Sequence, residues 1–246
     1  MSKYSPIIQI RKIKDVDLDG GVVFDGFQSI GLTSTIACGC FINSLKTELV
    51  GVLDSPIFPP ISVVYNSKPY FPARIYANEE KKLSFFVSEI NLEVSSYRPI
   101  ANAILTWAKE NDCKTIISIA GKPTEKNDES KDEPKVYAIS NSKEYMKKLE
   151  EAGIQPVVNG SIRGIPGILL NESTWRKINV VVFIADVIAG VPDFRAAATV
   201  SQAVSRIIPG AHCDIKQLIK EAEVVEHNLR DIKNQSNNKI EDIIYR

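Results

Sequence analysis

The sequence predicts an α/β fold: a single domain in which helices flank a mixed sheet with a substantial parallel component. Strand-like segments alternate with segments of helical periodicity along most of the chain, which is the order typical of such sheets. Residues 179–186 form an almost continuous apolar run, and this is typical of a strand covered on both faces. The length of 246 residues suits one large α/β domain or two small ones.

In the first half of the chain, short runs rich in β-branched and aromatic residues predict strands. These runs lie at 7–10, 21–24, 48–53, 61–65 and 83–87. One helix is predicted to follow Thr33 and to run through about Leu45, and a second to have Pro99 as an early residue. Prolines between 56 and 72 mark loops and strand edges, because proline cannot donate to a ladder. They form a rigid, partly apolar rim that is either a partner surface or a packed loop.

The second half of the chain continues the alternation. Further strands are predicted at 115–119, 136–139, 154–158 and 179–186. The mixed-charge insertion 122–135 has no apolar period and is predicted to be an exposed loop, disordered at its middle. Asn141 and Glu144 resemble the capping box of a short helix, which Gly153 closes. A longer helix is predicted to begin at Asp193.

Composition and charge argue against two classes of partner. The 30 basic residues balance 30 acidic ones, so no overall field favours nucleic acid or anionic membranes. No apolar run approaches the roughly 20 residues that a membrane helix needs. Residues 1–6 lack the apolar segment of a signal peptide, and a cytoplasmic location is therefore predicted.

The four cysteines, Cys38, Cys40, Cys113 and Cys213, are predicted to be buried structural thiols. Cys38 and Cys40 lie in an apolar, small-residue segment, and their separation of two residues points them to different sides of a helix. A metal site would need further ligands, and Cys113 and Cys213 stand alone apart from His212. Neither a disulfide framework nor a metal site is therefore expected.

The glycine loop after the second predicted strand is a candidate ligand site. A strand, loop and helix in this order could present backbone N–H groups to an anion, and the spacing from Gly26 to Gly31 is similar to that of a phosphate loop. Leu32, however, stands where such a loop needs its lysine, and no lysine or arginine occurs between Lys14 and Lys46. A structural turn, in which Gly31 allows close contact of helix and sheet, is the favoured interpretation.

Candidate catalytic residues are few. Asp25, Asp186 and Asp193 follow apolar strands, where α/β enzymes often hold catalytic groups, although carboxylates there also cap helices. His212 and His227 stand in no recognisable catalytic motif. The sequence makes no case for catalysis, for a metal or for a cofactor, and we predict that the protein is not an enzyme.

The last helix is predicted over 214–233, with Asp214 as its N-cap. Its apolar side chains alternate spacings of three and four residues, which is the seam of a heptad repeat. Because the seam is shorter than about three heptads, the helix either packs on its own domain or projects between subunits. In the second case, the candidate interface residues of a homo-oligomer are Leu218, Ala222, Val225, Leu229 and Ile232.

Residues 234–246 are predicted to form a flexible tail that follows the α/β domain of 1–213 and the last helix. The stretch 234–239 is polar and has too little apolar surface to offset its own ordering entropy. Two apolar side chains and a terminal carboxylate nevertheless end this tail, on Ile244, Tyr245 and Arg246. These three residues are either a frayed end or a docking motif.

Several segments together resemble the proteasome assembly chaperone family, in the single-domain form found in archaea. They occur in family order and cover nearly the whole chain. The segments are GFQSIG at 26–31, ELVG at 48–51, FPP at 58–60, FPAR at 71–74, GIPGILL at 164–170, and VPD at 191–193 followed by AAA at 196–198. The insertion 122–135 looks like a variable loop outside the family pattern.

This resemblance implies an α/β fold similar to that of nucleoside phosphorylases, without their activity, and a homo-oligomer as the common assembly. It also implies binding to proteasome α subunits or to the 20S α-ring. Some members end in a hydrophobic residue, a tyrosine and any residue, and Ile244, Tyr245 and Arg246 match those positions. The expected function is that of a non-catalytic assembly chaperone, or of an ATP-independent proteasome activator.

The tail suggests how such a protein would bind. Ile244 and Tyr245 would enter a pocket between neighbouring α subunits, and the carboxylate of Arg246 would meet a lysine there. One tail would bind weakly because ordering it is costly, whereas several tails of one oligomer would bind tightly through their effective concentration. The alternative function is that of a nucleoside-phosphorylase-like enzyme or a small-molecule-binding protein.

Overall fold

The computed structural model describes residues 8–124, 133–220, 222 and 223. The strands in these ranges are β1 (Gln9–Lys12), β2 (Val22–Gly26), β3 (Glu48–Asp54), β4 (Val63–Tyr65), β5 (Lys68–Tyr70), β6 (Ala73–Asn78), β7 (Leu83–Ser88), β8 (Thr115–Pro123), β9 (Val136–Ser140), β10 (Gln155–Pro156) and β11 (Asn179–Val187). The helices are α1 (Thr33–Ser44), α2 (Val94–Glu110), α3 (Lys143–Glu151), α4 (Ile165–Arg176) and α5 (Phe194–Ile207). A helical stretch at 215–220, 222 and 223 follows them and is called the C-terminal helix below.

Nine of these strands form one mixed sheet, in the order β1-β3-β6-β7-β2-β8-β11-β9-β10. The centre of the sheet is parallel, since β7, β2, β8 and β11 run in the same direction. On one flank β1, β3, β6 and β7 pair antiparallel, and on the other β9 is antiparallel to β11. Strands β4 and β5 form a separate hairpin. The predicted single α/β domain with a mixed sheet is therefore confirmed.

Helices cover both faces of the sheet. Along β11, Val181 and Phe183 belong to the core that α1 and α5 cover, whereas Val180 and Val182 belong to the core that α2 and α4 cover. Because successive strand side chains point to opposite faces, the run 179–186 is almost continuously apolar, as predicted. Among the described residues, none of the helices combines the length and the apolar character needed to cross a membrane.

Strands β5 and β6 and helix α4 are absent from the sequence prediction. Strand β6 begins directly after Pro72, and the prolines in front of it are typical of a loop. Helix α4 contains Gly167 and begins beside Gly164 and Pro166, which are also typical of loops. Gly164 is in fact the N-cap of α4, and Pro166 lies in the first turn, where a missing N–H costs no helical hydrogen bond.

The predicted boundaries at Pro99 and at Lys122 are among those that are wrong. Helix α2 begins at Val94 and contains Pro99 in its interior, so Pro99 is not an early helical residue. Strand β8 extends through Pro123, so the first two residues of the predicted loop 122–135 belong to the sheet. Residues 125–132 of that predicted loop lie outside the described residues.

The predicted capping box is replaced by a different cap. The N-cap of α3 is Ser142, whose hydroxyl accepts a hydrogen bond from Tyr145 N (3.5 Å). The Asn141 side chain instead joins β9 to β11: its Nδ2 donates to Ile178 O (3.0 Å) and its Oδ1 accepts from Val180 N (2.8 Å). The Asn141 side chain therefore bonds to the backbone at β11 and not to the N-terminus of α3. The local sequence does not reveal that β11 is its neighbour.

Candidate functional site

The carboxyl ends of β2 and β8 meet at one edge of the sheet, and α/β folds commonly hold ligands at such an edge. Asp25 lies there and is only 3 % exposed. Its Oδ2 accepts a hydrogen bond from the Ser118 hydroxyl (2.6 Å), and its Oδ1 accepts one from Phe27 N (3.2 Å). Burial raises the pKa of Asp25 to about 6, although both hydrogen bonds act in the opposite direction.

The glycine loop between β2 and α1 closes this edge. A β-carbon at Gly121 on β8 would lie 2.2 Å from the Ile30 carbonyl oxygen, and one at Gly26 would lie 2.4 Å from the Phe86 carbonyl oxygen. Gly31 has a φ of +69°, in the left-handed region that favours glycine. The loop backbone therefore packs directly on the strands, as the structural-turn interpretation of 26–31 expects.

The other two candidate carboxylates at this edge have structural partners. Asp193 is the N-cap of α5, as predicted: its Oδ1 accepts from Ala196 N (2.9 Å) and its Oδ2 accepts from Ile188 N (3.0 Å). Asp186 at the end of β11 forms an ion pair with Lys122, with Oδ1 and Nζ 3.5 Å apart. Asp193 therefore has the predicted capping role, whereas Asp186 pairs with a lysine and does not cap a helix.

The edge offers little chemistry beyond the Asp25 carboxyl group. Burial, together with the charge of Asp25, raises the pKa of the neighbouring Cys38 thiol far above its ordinary value, which keeps the thiol protonated. His212, the one histidine in the described part of the chain, is exposed in the loop before the C-terminal helix. Within the described ranges, no group of three or more His, Cys, Asp or Glu side chains could hold a metal ion.

The beginning of the C-terminal helix is fixed on the domain. Asp214 N donates to the Ser44 hydroxyl (3.0 Å), and Asp214 Oδ1 accepts from Lys216 N (3.1 Å), so Asp214 caps the first turn. Leu218 and Ala222, two of the candidate interface residues, are only 7 % and 3 % exposed in this single chain. The helix therefore packs on its own domain at these two positions.

The remaining candidate residues of the last helix and the tail lie outside the described residues. They are Val225, Leu229, Ile232, Ile244, Tyr245 and Arg246. An interface formed by the seam and a docking role of the tail stay predictions.

A disulfide bond joins the start of the C-terminal helix to α1. Cys40 and Cys213 form this bond, with their Cα atoms 5.5 Å apart. The prediction that no disulfide forms is therefore wrong for these two residues. The error has a simple cause, because the two cysteines are 173 residues apart and no local pattern indicates their pairing. Cys38 and Cys113 are free and buried, as predicted.

The predicted proline-rich rim contains the β4–β5 hairpin, which Arg74 of β6 holds against the sheet. The buried Arg74 forms an ion pair with Glu89, and its guanidinium carbon lies 5.8 Å from the ring centre of Tyr65 and 6.0 Å from that of Tyr70. The Tyr65 hydroxyl also donates to Glu89 (3.2 Å). Burial disfavours the charge on Arg74, but the ion pair with Glu89 outweighs it, and the pKa of Arg74 is raised.

Solved structures share this architecture over nearly its full length. PbaA from Pyrococcus furiosus, an archaeal homologue of proteasome-assembly chaperone, matches with a TM-score of 0.83 and 27 % sequence identity, covering 96 % of this chain and 95 % of that chain. PbaB of the same organism, an archaeal proteasome activator, matches in fold with a TM-score of 0.78 at 22 % identity, covering 93 % of this chain and 100 % of that chain.

A protein of Methanocaldococcus jannaschii, itself uncharacterised, is 24 % identical over 226 residues, which are 92 % of this chain and 90 % of that protein. The pattern of the PAC2 family matches residues 23–233, from the central strand β2 to beyond the described part of the C-terminal helix. Together with the likeness to PbaA, this match confirms the predicted resemblance to proteasome assembly chaperones. The chain belongs to the PAC2 family.

Proposed function

We propose that this protein assists proteasome assembly or activates the finished particle, and that it does so by binding rather than by catalysis. The observation that carries the proposal is the likeness to PbaA over 96 % of the chain at 27 % identity. The proposed partners are proteasome α subunits or the assembled 20S α-ring. A homo-oligomer of this chain would bind them in the cytoplasm, without a cofactor.

The loop backbone that packs on the carboxyl edge of β2 and β8 supports a non-catalytic role. An enzyme similar to nucleoside phosphorylases would need room there for its substrate. Instead, the Ile30 carbonyl lies where a β-carbon of residue 121 would stand, and the Asp25 carboxyl group is buried under the loop. Opening a site at this edge would require the loop backbone to move.

The proposed contact with the α-ring is made by Ile244, Tyr245 and Arg246. The two apolar side chains would fill a pocket between α subunits, and the terminal carboxylate of Arg246 would pair with a lysine in that pocket. The disulfide at Cys213 and the cap at Asp214 support this mechanism, because they fix the place on the domain from which each C-terminal segment starts. Thirteen residues from 234 to 246 reach at most roughly 45 Å.

The test is the affinity of the purified full-length protein for immobilised 20S proteasome of the same species. We expect Tyr245→Ala, and separately one glycine added after Arg246, to weaken binding at least about tenfold, since each removes one element of the contact. The matched control is Asn238→Ala, which changes the polar tether and should bind like the unmodified protein. Affinities within twofold for both Tyr245→Ala and the extended chain would show that the tail is not the docking element.

A second measurement distinguishes the proposed binding function from the alternative enzymatic function. Purified protein is incubated with purine and pyrimidine nucleosides and inorganic phosphate, and base release is followed. We expect no turnover above that of a heat-denatured sample. Turnover that survives Tyr245→Ala but not Asp25→Asn would favour the enzyme and overturn the proposal that the protein acts by binding.

A further inference from the structure

The loop between α5 and the C-terminal helix, residues 208–214, lies at the surface of the domain. Four of its residues are exposed: Pro209, Gly210, His212 and Asp214. Cys213 stands between two of these exposed residues and is 6 % exposed, and its partner Cys40 is 9 % exposed. The disulfide that joins the loop to α1 therefore lies directly beneath the surface, where a small opening of the loop would uncover it.

The described part of the C-terminal helix depends on the domain for its stability. Leu218 and Ala222 are buried, and Ile215 and Ile219 are partly buried against the core that α1 and α5 cover. Isolated helices shorter than about 12 residues are marginal in water. The helix therefore persists only as far as these few side chains, and the links at its start, hold it on the domain.

Two links besides apolar packing join the start of this helix to α1 in the described part of the chain. Asp214 N donates to the Ser44 hydroxyl at a position exposed to water, where a hydrogen bond adds little because water can replace it. The other link is the disulfide. Since α5 itself packs on α1, detachment of the helix would free only the loop 208–213. A bond that closes a loop of about six residues lowers the entropy of the detached state, and it makes the equilibrium constant for detachment about 40-fold smaller.

The two free cysteines do not compete for this bond. Cys38 is completely buried, and burial raises the pKa of its thiol far above the ordinary value. Cys113 belongs to the core on the opposite face of the sheet, and burial raises the pKa of its thiol to about 12. Thiol–disulfide exchange needs a thiolate, so neither thiol attacks the disulfide at neutral pH. An external dithiol is therefore needed to open it, and reoxidation restores the same pair.

We propose that the Cys40–Cys213 disulfide is a redox switch that controls how firmly the C-terminal helix is held on α1. One thiolate of a dithiol attacks a sulfur of the bond and forms a mixed disulfide. The second thiol of the reductant then displaces that sulfur, so the reductant leaves as a disulfide, and Cys40 and Cys213 each gain one electron and one proton. In the reduced protein, apolar packing and the hydrogen bond to Ser44 alone oppose detachment. The inference goes beyond the proposed function, because it concerns the helix and needs no proteasome.

The test compares hydrogen exchange of the oxidised and the reduced full-length protein. Alkylation under denaturing conditions assigns the two states, since two thiols react in the oxidised protein and four after dithiothreitol. We expect reduction to accelerate exchange of the amides of the C-terminal helix at least about tenfold. Helix α3, which packs on β9 and β10 at the far edge of the sheet, is the internal reference and should exchange as before. Strand β11 should stay protected in both states, which shows that the domain remains folded.

The matched control is Cys213→Ser, which removes the disulfide without a reductant. Its C-terminal helix should exchange like that of the reduced protein, and dithiothreitol should not change it further. These results, with α3 unchanged and β11 protected, support the proposal. Three results overturn it: cysteines that an oxidised dithiol fails to join, a disulfide that is reduced only when β11 also loses its protection, and equal exchange of the helix in the two states.

Discussion

At the carboxyl edge of β2 and β8, backbone closes over the place where many α/β folds hold a ligand, whereas at the β4–β5 hairpin it carries apolar side chains out into solvent. The first region uses glycine for close approach, as at Gly26 and Gly121. In the second region, prolines and the buried Arg74 restrict the conformation of the exposed β4–β5 hairpin. The two regions therefore differ in how the backbone is used: it fills the carboxyl edge of β2 and β8, and it leaves apolar side chains exposed at the hairpin.

The largest expected effect tests how tightly the carboxyl edge is closed. Gly121→Ala should lower the free energy of unfolding by about 3 kcal/mol, because its β-carbon would overlap the Ile30 carbonyl and the loop would have to shift. Gly39→Ala is the control: no heavy atom lies within 4 Å of its β-carbon position, and alanine in a helix should stabilise by about 0.5–1 kcal/mol. Urea denaturation of both variants measures the difference. If Gly121→Ala had the same free energy of unfolding as the unmodified protein, a methyl group would fit at this edge without a shift of the loop.

An effect of similar size comes from the buried carboxyl group at the same edge. The pKa of Asp25 is about 6 in the folded protein, above the ordinary value of 3.8, so the folded state binds the proton more tightly than the unfolded state. The contribution of Asp25 to the free energy of unfolding is therefore largest below about pH 4 and falls as the pH rises to 6, by up to about 3 kcal/mol. Above pH 6 this contribution stays constant.

Asp25→Asn isolates this contribution. The asparagine can keep both hydrogen bonds, because the Ser118 hydroxyl is able to accept as well as donate. The measurement is the difference in unfolding free energy between the unmodified protein and the variant, from urea denaturation at pH 4, 5, 6 and 7. We expect the unmodified protein to become less stable relative to the Asp25→Asn variant as the pH rises. A difference that is the same at all four pH values would contradict the raised pKa.

The smallest effect concerns the hairpin and should be local. Arg74→Leu removes the ion pair with Glu89 and the contacts with Tyr65 and Tyr70, so we expect hydrogen exchange of the β4 and β5 amides to accelerate about tenfold, which corresponds to ~1.4 kcal/mol. Exchange in β11 should not change.

Arg98→Leu provides the control for this change. It removes an exposed ion pair, in which Arg98 and Glu172 are 3.1 Å apart, and exposed pairs contribute at most about 1 kcal/mol. The β4 and β5 amides should exchange as in the unmodified protein. If Arg74→Leu behaves in the same way, the hairpin is held by its turn and its strands rather than by the arginine, and its surface is less fixed than we infer.

The sheet could be predicted from the sequence where a local pattern has one physical cause. The run 179–186 is apolar because both faces of β11 are buried, and Asp193 follows it because α5 needs a cap. The sequence misleads where one residue type serves two purposes. Glycine and proline at 164–167 are typical of loops but open helix α4, and Asn141 is a good helix cap that instead joins two strands.

The candidate sites divide in the same way. That the glycine loop is structural could be predicted, because Leu32 stands where a phosphate loop needs lysine. The prolines predicted a partly apolar rim, but its anchoring by Arg74 depends on Glu89, which lies on another segment. The Cys40–Cys213 disulfide could least be predicted, because its two cysteines are 173 residues apart. A contact between residues so far apart follows from the complete fold, not from any stretch of sequence.

That disulfide changes the covalent topology of the molecule. Residues 40–213 form a closed ring of chain, and the C-terminal segment leaves the ring at the same bond that holds α1. A protease that cuts once anywhere inside the ring produces two pieces that stay bonded to each other, so the tail remains attached to the domain until a reductant acts. Disulfides persist in oxidising compartments and in the cytosol of hyperthermophiles, and where this one persists, a single nick does not separate tail from domain.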